Sequence, residues 1–168
     1  MKSIVHIALI ASAFVLGGCS TSQNVLLAKQ APPRVVTVAQ APDAGNSPEM
    51  DTALRSALVT AGYTVRAPLA EGVRKSDEVD AIVSYVDVWR WDIVMYLQSI
   101  AIKMFDAQTG DLLVTGDWRN SALHGFQDEE VVVGRLIEEM SGKLKSATVD
   151  TAQLDEVDAS HLAGDQIP

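Results

Sequence analysis

A long stretch rich in Val, Ile, Tyr and Trp, running from Val79 to Arg119, constrains the fold of this 168-residue chain more than any other feature. These residue types suit a pleated, half-buried surface, and no Pro interrupts the stretch to remove a hydrogen bond between strands. Turn-forming residues at 107–111 separate two apolar runs, which is typical of a hairpin. The stretch therefore predicts an antiparallel meander with strands at Ala81–Trp91, Val94–Asp106 and Leu112–Arg119.

A strand, a helix and a second strand are predicted ahead of the meander. The first strand is Arg34–Ala39, and the helix begins after Ser47, whose side chain can cap free N–H groups, with Pro48 at the first helical position. Gly62 can end the helix in the left-handed conformation, and Tyr63–Arg66 follows as a strand. The apolar residues of the helix form one stripe: Met50, Ala53, Leu54, Ala57 and Leu58. Two strands joined by a helix indicate a βαβ crossover.

A second amphipathic helix is predicted to begin near Asp128. Its apolar stripe consists of Val133, Leu136, Ile137, Met140 and Leu144. Residues 147–168 contain acids and no Lys or Arg, which predicts an acidic, disordered tail. Residues 34–146 then form an α+β domain of two layers. Its mixed sheet of about five strands combines the βαβ unit with the meander, and both helices cover one face.

The first 18 residues have the composition of a signal peptide. Lys2 supplies a positive charge, and the apolar run Ile4–Leu16 is too short to span a membrane. The sequence Leu16-Gly17-Gly18-Cys19 that ends this segment resembles the lipobox of bacterial lipoproteins. The resemblance implies cleavage before Cys19, a diacylglycerol thioether on its sulfur and acylation of the new N-terminus. The alternative is an ordinary signal peptide followed by a chance Cys.

A lipid on Cys19 would anchor the chain to a membrane, because two or more acyl chains bind a bilayer stably. In enterobacterial lipoproteins an Asp after the Cys favours retention in the inner membrane. Ser20 therefore favours the periplasmic face of the outer membrane, with inner-membrane retention as the alternative. Residues 19–33 are predicted to be a lipidated tether. Within it, the apolar patch Val25–Leu27 would either pack on the domain or lie at the lipid interface, and the sequence leaves both open.

Charge and residue counts argue against several classes of function. A net charge of −9 without a Lys/Arg cluster disfavours nucleic-acid binding. The single Cys excludes an internal disulfide and a multi-Cys zinc site. The acids at 77–80 lack the pattern of an EF-hand loop, and the three His residues are far apart in sequence: His6, His124 and His161. We therefore predict neither a metal site nor a cofactor.

The most distinctive group in the sequence is Trp89-Arg90-Trp91-Asp92, with Tyr96 following. Here the chain resembles a family of small Gram-negative lipoproteins that have no assigned biochemical function. That family has a lipobox, a short strand, a helix ending in Gly-Tyr, and a Trp-Arg-Trp-Asp strand followed by a Tyr. The matching residues are Cys19, Gly62-Tyr63, Trp89-Arg90-Trp91-Asp92 and Tyr96. The resemblance covers Cys19 to Leu144 and leaves out the acidic tail.

Two interpretations of this aromatic group stay open. As a recognition surface it would bind an envelope protein or a glycan, because Trp, Tyr and Arg are common anchors of interfaces. As core residues, Trp89 and Trp91 would pack under the helices. Alternation places both on one face of the strand, together with Asp87. We expect the helices to cover that face. If they covered the other face, they would bury an unpaired Arg90, which costs far more than exposing the edges of aromatic rings.

Two functions remain open. The first is a non-catalytic binding or assembly module of the outer membrane, and the second is a hydrolytic enzyme acting on envelope polymers. Ser121, His124 and Asp128 are the candidates for catalysis, but no Gly-x-Ser-x-Gly motif is present, and catalytic triads are defined by geometry. We predict the binding module, without catalytic residues. An enzyme would bring His124 and a carboxylate together in a cleft.

Overall fold

The computed structural model describes residues 21–28, 32–43, 45–121 and 126–163. The elements in these ranges are, in chain order, β1 Ser22–Leu27, β2 Thr37–Gln40, α1 Pro48–Thr60, β3 Thr64–Val65, β4 Ala81–Trp91, β5 Met95–Asp106, β6 Leu112–Arg119 and α2 Glu129–Ala163. The strands form one mixed sheet in the order β1-β6-β5-β4-β2-β3. The predicted two-layer α+β fold is confirmed, with six strands where about five were expected.

The βαβ unit and the meander are both present. β2 pairs in parallel with β3 and with β4, whereas β4, β5 and β6 are antiparallel neighbours. The Oγ atom of Ser47 accepts a hydrogen bond from the backbone N–H of Met50, and Pro48 opens α1. Gly62 has a φ angle of 93°, which a glycine adopts without strain. The local signals for the start and end of α1 therefore operate as predicted.

The main core lies between the sheet and the two helices. The apolar stripes of both helices pack against the inward side chains of the sheet, which include Val83, Tyr85, Ile100, Ile102, Met104 and Val114. A smaller cluster lies on the opposite face, where Leu69 and Val73 from segment 66–80 pack over Ile82. Val86 and Val88, farther along β4, are exposed. Segment 66–80 thus covers one end of the outer face, and the uncovered remainder is called the open face.

The predicted tether, residues 19–33, contains an edge strand. Ser22–Leu27 pairs antiparallel with β6 along its whole length, and Val25 is buried in the main core. The Lys143 Nζ atom donates a hydrogen bond to the Val25 carbonyl at 2.6 Å. Packing on the domain is therefore the observed alternative for Val25, and the prediction that all of 19–33 is a tether is wrong. The physical reason is that β6 would otherwise leave its edge N–H and C=O groups unpaired.

The predicted disordered tail at 147–168 is also wrong as far as Ala163, because α2 continues to that residue. Residues 164–168 lie outside the described ranges. Each residue added to an existing helix gains one backbone hydrogen bond, so continuing a helix costs far less than starting one. The Thr148 hydroxyl also donates to the carbonyls of Leu144 and Pro32. Composition alone could not reveal this continuation.

Asp80 joins β2 to the beginning of β4. Its Oδ2 atom accepts hydrogen bonds from the backbone N–H groups of Val36 and Thr37 and from the Thr37 hydroxyl, at 2.7 to 2.9 Å. The backbone hydrogen bond from Thr37 is the main cause that lowers the pKa of Asp80. A carboxyl group with a lowered pKa stabilises the fold above its unfolded pKa, about 3.9 for Asp. That stability is lost as the pH falls through the lower, folded-state pKa.

Replacing Asp80 with Asn is therefore expected to lower the free energy of unfolding near neutral pH. The difference from the wild type should shrink as the pH falls below about 4, because the wild-type carboxyl then becomes neutral as well. Urea denaturation at a series of pH values measures both effects. Asp77→Asn, at an exposed position in the same segment, is the control and should change stability by less than about 0.5 kcal/mol. A difference that stays constant into acid would show that the charge of Asp80 is not responsible.

Candidate functional site

The structure places the predicted recognition residues in three different environments. Trp89 is partly buried and packs against the main core. Arg90 and Tyr96 are a cross-strand pair, and Arg90 alternates with Val88, so this pair belongs to the open face. Trp91 is 71% exposed at the end of β4, and Asp92 is exposed in the turn that follows. These five side chains therefore do not form one continuous surface.

A polar cluster holds Trp89 in place. The Oδ2 atom of Asp87 accepts hydrogen bonds from the Trp89 Nε1 at 2.6 Å and from the Ser47 hydroxyl at 3.1 Å. The Tyr85 hydroxyl donates to the Asp51 Oδ1 at 2.8 Å, and burial, followed by this bond, raises the pKa of Tyr85. Donors from β4 and from the N-terminus of α1 thus satisfy one oxygen of the inward Asp87, whereas its Oδ1 atom is buried without a hydrogen bond among the described residues. The cluster fixes β4 to α1 just before the strand leaves the sheet.

β4 and β5 extend past the other strands. β6 ends at Arg119, opposite Ser99, whereas the pairing of β4 with β5 continues to Trp91 and Met95. A β-bulge follows Val88, where the pairing shifts register. Beyond this point the two strands form a ribbon, and no other strand of the described residues pairs with it.

The hairpin tip, residues 91–95, exposes four apolar side chains: Trp91, Ile93, Val94 and Met95. Ile93 is the most exposed of them, at 80%. The prediction that Trp91 would be buried together with Trp89 is wrong. Trp89 lies opposite the buried Leu97, whereas Trp91 pairs with the exposed Met95, beyond the end of β6.

A shallow depression with a cavity volume of about 290 Å³ lies on the open face. Its lining comes from β1, β6, β5 and β4 and consists of Ser22, Asn24, Val86, Val88, Ser99, Ile100, Ala101, Asp117, Trp118 and Arg119. Val86 and Val88 are exposed, and Asp117 and Arg119 are exposed charged residues beside them. Trp118 is only 5% exposed, so its ring belongs to the main core. The depression therefore combines exposed aliphatic groups with charged neighbours, as many protein interfaces do.

The sequence interpretation missed the depression as a site, although one signal was available. In β5, Ser99 and Ala101 alternate with the buried Ile100 and Ile102. Small residues on one face and large apolar residues on the other indicate that no second layer packs on the first face. Sequence alone did not decide whether Val86 and Val88 face a core or water.

The residues weighed as candidates for catalysis lie at and inside a gap in the described residues. Ser121 and Asp128 flank a gap in the description, and His124 falls inside it. The Asp128 Oδ1 atom accepts a hydrogen bond from the backbone N–H of Glu130 at 2.9 Å, which is the role of a helix cap. Cys19 also lies outside the described residues.

Within the described ranges, no group of three or more His, Cys, Asp or Glu residues is placed to hold a metal ion. Neither helix, as far as the description extends, has the length and apolar character needed to cross a membrane.

In comparisons with known proteins, the chain is similar to solved structures in its fold. No protein-family model matches the chain, and no curated protein matches it. Among solved structures it is similar to the PelC dodecamer from Paraburkholderia phytofirmans, with a TM-score of 0.50 and 14% identity over 74% of this chain and 97% of that one. It is less similar to a PDZ domain protein from Parabacteroides distasonis, with a TM-score of 0.41 and 10% identity over 77% and 37% of the two chains. For a minor lipoprotein from Acinetobacter baumannii the TM-score is 0.34, with 10% identity over 68% and 94%. The chain thus shares the fold of PelC.

Proposed function

We propose that this protein is a lipid-anchored lipoprotein of the Gram-negative envelope that binds a protein partner on the open face of its sheet. The lipid on Cys19 holds it at the periplasmic face of the outer membrane, and the lipobox resemblance and Ser20 support this location. The binding role is carried by one observation, namely that the open face exposes Val86 and Val88 beside a depression.

The chemistry of this face favours a protein over a glycan. The outer face of a two-layer antiparallel sheet is normally polar, because water covers it. Here β4 instead presents two aliphatic side chains, Val86 and Val88, next to the charged Asp117 and Arg119. A glycan would be expected to stack on an exposed aromatic ring, but the Trp118 ring that borders the depression is buried and Tyr96, on the same face, is half-buried. An aliphatic patch with a charged border fits the apolar side chains of a protein.

Binding without catalysis agrees with the lining of the depression. Its polar side chains are those of Ser22, Asn24, Ser99, Asp117 and Arg119. General acid–base catalysis by two carboxylates, or by a hydroxyl paired with His, requires groups that this lining does not contain.

A photo-crosslinking amino acid at position 86 is expected to capture a protein partner in intact cells. The matched control is position 59 on α1, because Val86 and Val59 are equally exposed, at 56% each. Adding Val88→Asp to the position-86 variant should remove the adduct, since it places a charge in the aliphatic patch. Gel electrophoresis and mass spectrometry detect and identify the adduct. Equal adducts from positions 86 and 59, or an adduct that survives Val88→Asp, would contradict the proposal.

A further inference from the structure

The beginning of β1 and the hairpin tip lie at the same edge of the sheet. One row of paired residues crosses the sheet here, because Ser22 is opposite Arg119, Arg119 is opposite Ser99, and Ser99 is opposite Val88. β1 begins at this row and runs away from it. The chain that precedes Ser22 therefore enters the sheet at this row. β4 runs toward the row and past it. The sequence that carries Cys19 therefore joins the domain at the edge from which the tip projects.

Cys19 can extend about as far from this row of paired residues as the hairpin tip does. Three residues of sequence lead from Cys19 to Ser22, and an extended chain of that length spans at most about 10 Å. Three residues of strand also lead from Val88 to Trp91, which is about 10 Å at the rise of a β-strand. The hairpin tip can therefore contact the bilayer that holds the lipid on Cys19.

Four of the five side chains of the tip suit the interface of a bilayer, the exception being Asp92. The amphipathic indole of Trp91 is the group that membrane proteins place at the headgroup level. The exposed Ile93, Val94 and Met95 can enter the acyl-chain boundary, where apolar area leaves water. Phe126, which is also exposed, precedes α2 on the connection that leaves β6 at this edge.

The acid-rich end of α2 lies away from this edge. The Gln23 Nε2, next to the start of β1, donates to the Glu139 carboxylate at 2.7 Å. Farther along β1, the Val25 carbonyl accepts from Lys143, one helical turn later. α2 therefore runs away from the hairpin tip, and the acidic stretch 150–163 forms its distant end. This arrangement reduces repulsion between the acidic chain and anionic headgroups.

We infer that the hairpin tip, residues 91–95, inserts into the headgroup region of the bilayer that carries the lipid of Cys19. The inference rests on the anchor of the proposed function and adds a second contact with the same membrane. Two contacts at one edge fix the orientation of the domain. The open face is then roughly perpendicular to the membrane, so that a partner can still bind to it.

The depth of the tip can be measured on the full lipidated protein in vesicles of phosphatidylethanolamine and phosphatidylglycerol. An environment-sensitive fluorophore is attached to Ile93→Cys, and to Val59→Cys as the control at the far end of α1. A lipidated Cys19 has no free thiol, so the label reacts only with the introduced Cys. The label at position 93 should shift to shorter wavelength and lose emission when nitroxide groups are placed on the acyl chains. The label at position 59 should do neither.

Three outcomes separate the alternatives. Equal quenching of the labels at positions 93 and 59 would overturn the inference. A label at position 93 that is shielded in native envelopes but stays in water in the vesicles would also overturn it, because a protein partner then covers the tip. Mass spectrometry of the N-terminus on the same sample tests the anchor separately. A lipidated protein whose tip stays in water refutes tip insertion and leaves the anchor standing.

Discussion

Replacing Cys19 with Ala is expected to abolish the membrane attachment of the protein. The thioether cannot form on an alanine, and the precursor should accumulate uncleaved or be released as a soluble protein. The loss should be large, because each CH₂ group of an acyl chain that leaves the bilayer costs about 0.8 kcal/mol. The tip alone buries too few apolar groups to replace the acyl chains. Fractionation of membranes followed by immunoblotting measures the attached fraction.

The control for this experiment is Ser20→Ala, which leaves Leu16-Gly17-Gly18-Cys19 intact and should preserve attachment. Mass spectrometry of the mature N-terminus provides the direct check. We expect a mass that corresponds to a lipidated Cys19. A mature chain that begins at an unmodified residue other than Cys19 would refute the anchor.

Replacing Leu136 with Ala is expected to lower the free energy of unfolding by about 2–5 kcal/mol. Leu136 is fully buried where α2 packs on β6. A β-carbon at Gly116 of β6 would lie 2.9 Å from the Leu136 Cδ1 and 2.7 Å from the Met140 sulfur. The leucine therefore rests directly on strand backbone, which cannot move in to fill a cavity without breaking the sheet. The cost should be high because little collapse of the cavity is possible.

Val131→Ala on the same helix is the matched control, because Val131 is exposed and Ala has the higher helix propensity. Its effect should stay within about 0.5 kcal/mol. Urea denaturation of the two variants and the wild type gives the comparison. A loss of less than about 1 kcal/mol for Leu136→Ala would show that α2 does not pack on β6 as described.

The meander illustrates what could be predicted. β4 and β6 begin and end at the predicted residues, and β5 begins at Met95, one residue later than predicted. Both helices begin within one residue of their predicted starts. These features depend on side-chain periodicity, turn residues and caps, which act over a few neighbouring residues.

The candidate site was predicted only in part. Alternation correctly placed Trp89 on the face that the helices cover and Arg90 on the other face. It did not distinguish Trp89 from Trp91, because both have the same place in the strand pattern. Their different burial depends on where β6 ends and on where the helical layer ends, and neither limit is encoded in β4.

The sequence by itself determined the type and order of the elements from β2 to the start of α2, and the inward apolar stripes of both helices. The tertiary structure alone decided that Ser22–Leu27 joins the sheet and that Val86 and Val88 remain exposed. A short run such as 22–27 has little preference of its own, and it becomes a strand because β6, about ninety residues later in the chain, offers unpaired backbone groups. Exposure of Val86 likewise depends on segment 66–80 stopping at one end of the outer face. Such outcomes arise from contacts between distant parts of the chain, and the pattern of any single segment does not contain them.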